Sequence, residues 1–209
     1  RIRKTNFMGT LMSKYVDYYV SLTSPYTYMG GRRLPEIIEK TGADFHIKPI
    51  MGAQVLAATG GLPVAKRHPA RLAYRLVELA RWKRHWSIPM NIQPKFFPAN
   101  DGDAGQMVIA ARHAGQDAIA LSNVFLACVW EGEQDISDTA TLITAANGAG
   151  FDGDGLAAKV GDDAVMAEYQ ANTDEAIERQ VFGMPWFIHD GVPYWGQDRI
   201  RFLARALTG

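Results

Sequence analysis

Hydrophobic positions near the start of the chain follow the pattern of two strands separated by a helix. Residues 16–22 and residues 43–50 are rich in β-branched and aromatic side chains, which favours two short strands. Between them, Ser24 is a good N-cap, and Pro25 fits the first helical turn, where its missing N–H leaves no hydrogen bond unmade. Two glycines and a second proline inside that helix predict a kink or a break. The order strand, helix, strand predicts a βαβ unit.

The pattern changes after residue 50. Over residues 51–172 the apolar positions recur at helical spacing with few β-type runs, which predicts a block of about four to six helices. Gly115 marks a break between two of these helices. Ser137 is placed to cap a later one, and Thr173 can cap the second half of the last.

Near the C-terminus the hydrophobic pattern is again typical of β-strands. Residues 184–196 form two apolar runs around Asp190 and Gly191, a pair that favours the turn of a β-hairpin. Residues 197–207 then show the pattern of a closing amphipathic helix. Without the helical block, this order of elements is the thioredoxin plan, so the sequence predicts an α/β, thioredoxin-like fold with an inserted all-helical domain.

The same pattern sets the predicted domain organisation. Residues 15–50 and 173–209 are assigned to the thioredoxin-like domain, and residues 51–172 to the inserted helical domain. Residues 1–14 are basic but lack an apolar segment long enough for a secretory signal. We therefore predict a leader there that is disordered and lies outside the fold.

Composition excludes several classes of function. The formal net charge is +0, from 22 basic and 22 acidic residues, whereas a nucleic-acid-binding protein normally carries a basic excess. The richest apolar stretch, residues 118–130, is interrupted by Ser122 and Asn123, so no membrane span is predicted. The single cysteine, Cys128, excludes an intramolecular disulfide, a CxxC redox pair and a cysteine-rich zinc site. It also favours a reducing compartment, so we expect a cytoplasmic protein, and we predict no metal site.

Two motifs at opposite ends of the chain carry a family resemblance. The first is SPYTYMGG, residues 24–31, which follows a predicted strand; the second is VFGMPWFIHDGVPYWGQDRIRFL, residues 181–203. ATGG at residues 58–61 and VWEGEQDISD at residues 129–138 agree with them. Together they resemble the 2-hydroxychromene-2-carboxylate isomerase and kappa-class glutathione transferase family, which is related to bacterial disulfide oxidoreductases. The similarity extends from about Tyr15 to Leu207.

The resemblance gives Ser24 a role beyond that of a plain N-cap. In thioredoxin-like redox proteins this position holds the reactive cysteine, whose thiolate is favoured by the helix N-terminus. A serine cannot exchange disulfides, but its hydroxyl can donate a hydrogen bond to a thiolate that a ligand brings, and the family uses glutathione for this. Ser24 is thus expected to stabilise an anion rather than to act as a nucleophile.

The second motif is expected to hold the tripeptide. The resemblance implies a cis bond at Met184-Pro185, with the Met184 backbone pairing with the cysteinyl part of glutathione as an added strand would. Trp195, Gly196, Gln197 and Asp198 are expected to open the final helix and to bind the γ-glutamyl end, with Asp198 accepting from its ammonium group. The alternative for Pro185 is a proline that simply begins a strand. The alternative for Asp198 is an ordinary helix cap.

Four further residues complete the predicted site. Gly61 lies in the ATGG stretch. Because glycine has no side chain, it is expected to contact glutathione only through its backbone. Lys66 is the candidate cation for the glycyl carboxylate or for a substrate carboxylate, and Lys48 is the weaker candidate. Tyr26 is a candidate wall of an aromatic substrate pocket. Most of the other basic residues between Lys66 and Arg84 are interpreted as a solvated helix face.

The resemblance implies a glutathione-dependent isomerase. It would convert 2-hydroxychromene-2-carboxylate, or a related intermediate of aromatic hydrocarbon catabolism, to trans-o-hydroxybenzylidenepyruvate by reversible thiolate addition. A kappa-type transferase that conjugates glutathione to small electrophiles and a non-catalytic glutathione-binding module remain alternatives. A disulfide oxidoreductase is disfavoured because Ser24 replaces the cysteine that it needs. The family also implies a homodimer, and the only other partner expected is a small aromatic carboxylate.

Overall fold

The structure is a computed structural model that describes residues 14–209, and within them the strands form one mixed sheet in the order β2-β1-β3-β4. The predicted leader, residues 1–14, lies outside the described residues except for Lys14. The strands are β1 (Tyr15–Val20), β2 (Asp44–Pro49), β3 (Trp186–His189) and β4 (Val192–Trp195). β1 runs parallel to β2 and antiparallel to β3, and β3 is antiparallel to β4. The predicted thioredoxin-like sheet is confirmed.

Ten α-helices and one 3-10 turn accompany this sheet in the described part of the chain. They are α1 (Pro25–Gly31), α2 (Leu34–Thr41), α3 (Gly52–Ala58), the 3-10 turn Val64–Lys66, α4 (Pro69–Trp86), α5 (Gly102–His113), α6 (Ala118–Trp130), α7 (Thr139–Gly148), α8 (Gly153–Ala157), α9 (Asp163–Glu178) and α10 (Ile200–Thr208). α1 and α2 connect the parallel strands β1 and β2, which confirms the predicted βαβ unit. α3 to α9 lie between β2 and β3, more helices than the sequence predicted, because the short α3 and α8 carry too few turns to show a period.

The break between α1 and α2 has a packing cause. The Asn123 side chain on α6 donates to the Gly31 carbonyl over 3.1 Å, and a Cβ built on Gly31 would lie 2.1 Å from Asn123 Oδ1. A side chain at this position would displace the Asn123 amide and break its hydrogen bond to α1. Pro35 then starts α2 as a first-turn proline, so the predicted break is confirmed.

The structure corrects two predicted helix caps. α7 begins after Asp138, whose carboxylate accepts from the N–H groups of Ala140 and Thr141, whereas the Ser137 hydroxyl accepts from the Asn100 N–H. Thr173 caps nothing, because α9 continues through it. The predicted domain boundary at residues 172/173 therefore falls within one continuous helix, and the domain division itself stays a prediction.

Apolar side chains cover both faces of the sheet. On one face Tyr18 of β1 stacks on Phe187 of β3, with ring centroids 4.7 Å apart, and joins a core that extends through α5 and α6. On the other face the neighbouring residue Tyr19 packs with Trp186 and with part of α9. This alternation is the period of two expected of a strand. The sheet is thereby fixed between helices, and its strand ends are held in place.

A buried ion-pair network lies at the junction of β1, β2 and α9. The Lys48 ammonium contacts Asp17 Oδ1 at 2.8 Å and Glu175 Oε2 at 2.7 Å, and Arg179 contacts the second oxygen of Asp17 at 2.7 Å. Burial alone would raise the pKa of Asp17, but hydrogen bonds and charge from Lys48 and then Arg179 hold it below its ordinary value. Such a network stabilises the fold only while Asp17 is ionised.

We expect Lys48→Met to reduce the free energy of unfolding by about 3 kcal/mol at neutral pH, because it removes the buried cation between Asp17 and Glu175 and leaves the more exposed Arg179 to balance both carboxylates. Since the folded-state pKa of Asp17 is lowered, its stabilising contribution is complete above its unfolded pKa of about 3.9 and is lost as pH falls below it. Urea unfolding between pH 7 and pH 3 should therefore show a smaller acid loss in the variant. The control is Lys40→Met, which breaks only the exposed pair with Glu36. Equal acid slopes for wild type and Lys48→Met would contradict the role of this network.

Candidate active site

Ser24 lies between the end of β1 and the start of α1, half-buried. Its backbone is extended, and its hydroxyl oxygen accepts from the Thr27 N–H over 3.2 Å, which is the geometry of an N-cap. The same hydroxyl donates to the Met184 carbonyl oxygen over 3.0 Å, across 160 positions of sequence. The Ser24 hydroxyl is therefore a hydrogen-bond donor aimed at the loop before β3.

A buried carboxylate that the sequence did not point to holds the loop before Ser24. Asp101, at the start of α5, accepts from the Ser21 hydroxyl over 2.7 Å and from the Leu22 N–H over 2.8 Å. Burial raises the pKa of Asp101, and these hydrogen bonds act against that rise. The contact joins residues about 80 positions apart, so no local pattern predicts it.

The bond between Met184 and Pro185 is cis, as the resemblance implied. The Met184 carbonyl is occupied by the Ser24 hydroxyl. For the Met184 N–H we find no acceptor among residues 14–209, so this donor is free to bind a ligand. The following loop is fixed to the same place, because the Gly196 N–H donates to the Pro185 carbonyl over 2.9 Å.

A cleft of about 230 Å³ opens beside this loop. Six of the predicted site residues line it: Tyr26, Met184, Trp195, Gly196, Gln197 and Asp198. The other lining residues are Glu78, Trp82 and Arg199. The cleft thus lies between the thioredoxin-like part and α4 of the helical block. The sequence did not indicate Glu78 or Trp82, because only the packing of α4 against the loop brings them there.

Gln197 is buried, and its contacts differ from the direct ligand contact that was predicted for its amide. Its Oε1 accepts from the Trp86 indole N–H over 3.1 Å, and its backbone carbonyl accepts from Arg33, whose guanidinium lies 4.2 Å from the Trp86 ring centre. Its amide nitrogen Nε2 is buried without a partner in the described part of the chain. Gln197 therefore anchors the loop to α4 and keeps one donor unused.

Asp198 faces the cleft with its carboxylate paired to the Arg199 guanidinium. The turn before it needs glycine, because Gly196 has φ +91° and an added Cβ would lie 2.9 Å from Asp198 Oδ1. The prediction that Trp195 to Asp198 open the final helix is wrong: α10 begins at Ile200, after Arg199. Asp198 stands in the loop ahead of that helix and lines the cleft.

Five predicted site residues do not line this cleft. Ser24 and Pro185 adjoin it through Met184, whereas Lys48, Gly61 and Lys66 lie elsewhere. Lys48 is buried in the ion-pair network with Asp17 and Glu175, so its ammonium is not available to a substrate carboxylate. Gly61 follows α3, where its N–H donates to the Leu56 carbonyl over 2.7 Å. Lys66 ends the 3-10 turn and is exposed, with no ion pair among the described residues.

Known proteins of similar sequence and fold have the same overall plan. Residues 15–208 match the family described as the DSBA-like thioredoxin domain. A 2-hydroxychromene-2-carboxylate isomerase of Pseudomonas putida is 30% identical over 196 residues, which covers 92% of this chain and 93% of that protein. The isomerase of the same name from Sphingobium xenophagum is 28% identical over 194 residues, 92% of this chain and 97% of that one.

A solved structure and a second class of enzyme agree with these relatives. The structure of a 2-hydroxychromene-2-carboxylate isomerase superposes with a TM-score of 0.77 at 28% identity, covering 93% of this chain and 94% of the other. Human glutathione S-transferase kappa 1 is more distant, at 22% identity over 213 residues, with 96% of this chain and 93% of that one covered. Among residues 14–209, no helix is long and apolar enough to cross a membrane.

Proposed function

This chain belongs to the DSBA-like thioredoxin domain family, within which it groups with the 2-hydroxychromene-2-carboxylate isomerases, and from this premise we propose that it is a glutathione-dependent isomerase. The proposed reaction converts 2-hydroxychromene-2-carboxylate, or a related intermediate of aromatic hydrocarbon catabolism, to trans-o-hydroxybenzylidenepyruvate. When bound, glutathione would supply a thiolate that adds to the conjugated double bond of the ring-opened acid and leaves again after rotation about the resulting single bond. Residues of this chain stabilise the thiolate and hold the tripeptide and the substrate.

One observation carries the proposal: the Ser24 hydroxyl, at the start of α1, is 3.0 Å from the Met184 carbonyl beside the cleft. A hydroxyl that donates to a carbonyl can turn to donate to a sulfur anion bound within its reach. Because its oxygen accepts from the Thr27 N–H, the hydroxyl is polarised and becomes a better donor. A free thiol has a pKa of about 8.5, so a shift of two units needs about 2.7 kcal/mol. A charge-assisted hydrogen bond together with the Tyr26 N–H, the first-turn donor of α1 for which the described residues offer no acceptor, can supply this amount.

The donors and acceptors around the cleft fit the tripeptide. The unused Met184 N–H is a donor for one of its carbonyl or carboxylate oxygens, and Gln197 holds the loop beside it through its bond to Trp86. The Asp198 carboxylate is an acceptor for its α-ammonium group, and Trp195, half-exposed, forms an apolar wall next to Gly196. Lys66 remains a candidate for its glycyl carboxylate, which extends beyond the cleft. Because the Gly61 N–H is bonded to Leu56, Gly61 can offer the glycyl end only its carbonyl, as an acceptor for an amide N–H. These residues would hold the sulfur at Ser24.

A kappa-type transferase would use the same residues and keep the sulfur bonded to its product, so an assay has to separate the two. We expect the purified protein to convert 2-hydroxychromene-2-carboxylate only when glutathione is present, with no net consumption of the tripeptide. Turnover of 1-chloro-2,4-dinitrobenzene should be slower under the same conditions. Conjugation of that electrophile with no isomerisation of the chromene acid would contradict the proposal in favour of the transferase.

Two other classes give distinct results in the same set of assays. A disulfide oxidoreductase should reduce insulin, which we do not expect here, since Ser24 stands at the reactive position and Cys128 is buried with its pKa raised by burial to about 11. A non-catalytic binding module should bind glutathione without any turnover. We further propose that the protein is cytoplasmic and forms a homodimer. Light scattering of the purified protein measures the molar mass and so checks the dimer.

A further inference from the structure

Arg75 of α4 carries a cation without a counter-ion. Its side chain is half-buried, and among residues 14–209 it takes part in no ion pair and no side-chain hydrogen bond. Its Nη2 is fully enclosed without a hydrogen-bond partner. The sequence pattern assigned Arg75 to a solvated helix face with its basic neighbours, and this interpretation is wrong for Arg75. A desolvated guanidinium with unused donors is costly unless an anion completes it.

The surroundings of Arg75 are aromatic. Its guanidinium carbon lies 4.9 Å from the ring centre of Phe97 and 5.9 Å from that of Trp130. Burial lowers the pKa of Arg75. Burial also raises the pKa of Tyr26 in the cleft, and the positive charges of Arg75 and Arg67 oppose that rise. These rings stabilise one face of the cation but offer no acceptor for its N–H groups.

A groove of about 440 Å³ lies beside this guanidinium. Apart from Arg75, its walls are mainly apolar, with Leu72, Leu76, Ile92, Phe97 and Pro98 among them. The volume falls within the range of small-molecule sites, where apolar walls surround a few polar groups.

The groove and the glutathione cleft are neighbours along α4. Arg75 lines the groove, whereas Glu78 and Trp82 line the cleft. These three residues are spaced i, i+3 and i+7, so they share one face of the helix, and Arg75 is about 4.5 Å along the axis from Glu78. The groove and the cleft therefore follow each other along this face of α4.

We propose that this groove binds the aromatic body of the substrate and that the Arg75 guanidinium pairs with its carboxylate. The inference rests on the proposed function and deepens it, because it assigns the substrate cation to Arg75 and leaves Lys66 to the tripeptide. With Nη2 enclosed, the other N–H groups of the guanidinium are the donors for a carboxylate oxygen, and such a charge-assisted hydrogen bond is stronger than a neutral one. The Phe97 ring and the leucines take the apolar face of the substrate.

The test uses binding of chromone-2-carboxylate, an unreactive planar aromatic acid, and of its uncharged carboxamide, measured by calorimetry without glutathione. Wild type should bind the carboxylate about tenfold or more tightly than the carboxamide. Arg75→Met should lose this preference while its affinity for the carboxamide stays unchanged. The matched control is Arg71→Met, one turn earlier on the same helix and exposed, which should keep the preference.

A folded Arg75→Met that binds the carboxylate as tightly as wild type would overturn the inference, and Arg75 would then only bridge α4 to the aromatic rings. If that variant does not fold, the wild-type protein labelled with ¹⁵N-arginine decides. Its Arg75 side-chain signal should shift on addition of the carboxylate and not of the carboxamide, and an unmoved signal would refute the pairing. Because neither experiment contains glutathione or turnover, a failure of the proposed isomerase activity leaves both readouts intact.

Discussion

Replacing Ser24 with alanine should reduce turnover of the chromene acid about 100-fold or more, with the fold retained. The hydroxyl is the proposed donor to the sulfur of glutathione, and loss of one such preorganised donor in other enzymes costs a factor of about 10² to 10³. The change also removes the N-cap of α1, which should lower the free energy of unfolding by about 1 kcal/mol. Steady-state kinetics at saturating glutathione, with a thermal melt of each protein, measures both effects.

Two variants separate the anion-stabilising role from the capping role. Ser24→Thr keeps a hydroxyl cap and should retain much of the activity, with the spectroscopic thiolate band of bound glutathione still present at neutral pH. Asp138→Ala removes the N-cap of α7, far along the chain, and should lower stability with no change in turnover. If Ser24→Ala keeps near wild-type rates, the proposed chemistry at this hydroxyl fails.

Asp198→Ala should weaken glutathione binding about 10- to 100-fold while the rate at saturation changes little. The carboxylate lines the cleft and is the proposed acceptor for the α-ammonium group of the tripeptide, and a hydrogen bond to a charged group contributes about 1.5 to 3 kcal/mol. In the structure Arg199 pairs with this carboxylate, but that pair is exposed enough that losing it should hardly affect stability. Calorimetric titration with glutathione gives the affinity directly.

A tripeptide that lacks the α-amino group, glutaryl-cysteinyl-glycine, is the matched ligand for this variant. Wild type should bind it weakly, and Asp198→Ala should weaken its binding no further, since the partner of the carboxylate is already missing. Equal penalties for both ligands would mean that Asp198 acts only through Arg199 and the shape of the loop. Asp198→Asn, which keeps the acceptor oxygen without the charge, should fall between wild type and the alanine variant.

Local sequence patterns were sufficient for the elements that build the site. Pro25 after Ser24 predicted where α1 begins, and Asp190 with Gly191 predicted the hairpin of β3 and β4, because both signals depend on backbone preferences of adjacent residues. The residues that cap the helices were predicted less reliably. Ser137 and Asp138 are both good N-caps, and which of them bonds to α7 is decided by the Asn100 N–H, which occupies the Ser137 hydroxyl.

The charged residues show where sequence reasoning ends. The sequence gives no reason to distinguish the surroundings of Lys48, Lys66 and Arg75. In the structure Lys48 is buried between two carboxylates, and Lys66 is exposed. Arg75 is half-buried beside Phe97 and Trp130. A side chain's charge is visible in the sequence, but its solvation depends on what packs around it. Asp101 shows the same limit, since its hydrogen bonds to the loop before Ser24 cross about 80 residues.

By itself, the sequence determined the βαβ unit, the hairpin, the serine at the start of the first helix and the paired motifs that mark the family, because each depends on neighbours along the chain. Only the tertiary structure decided that Ser24 donates to Met184, that α4 closes the cleft with Glu78 and Trp82, and that Arg75 is left without an anion among the described residues. These contacts join segments far apart in the chain. Their energies come from burial and from charge in a low-dielectric interior, which arise only when the segments pack together.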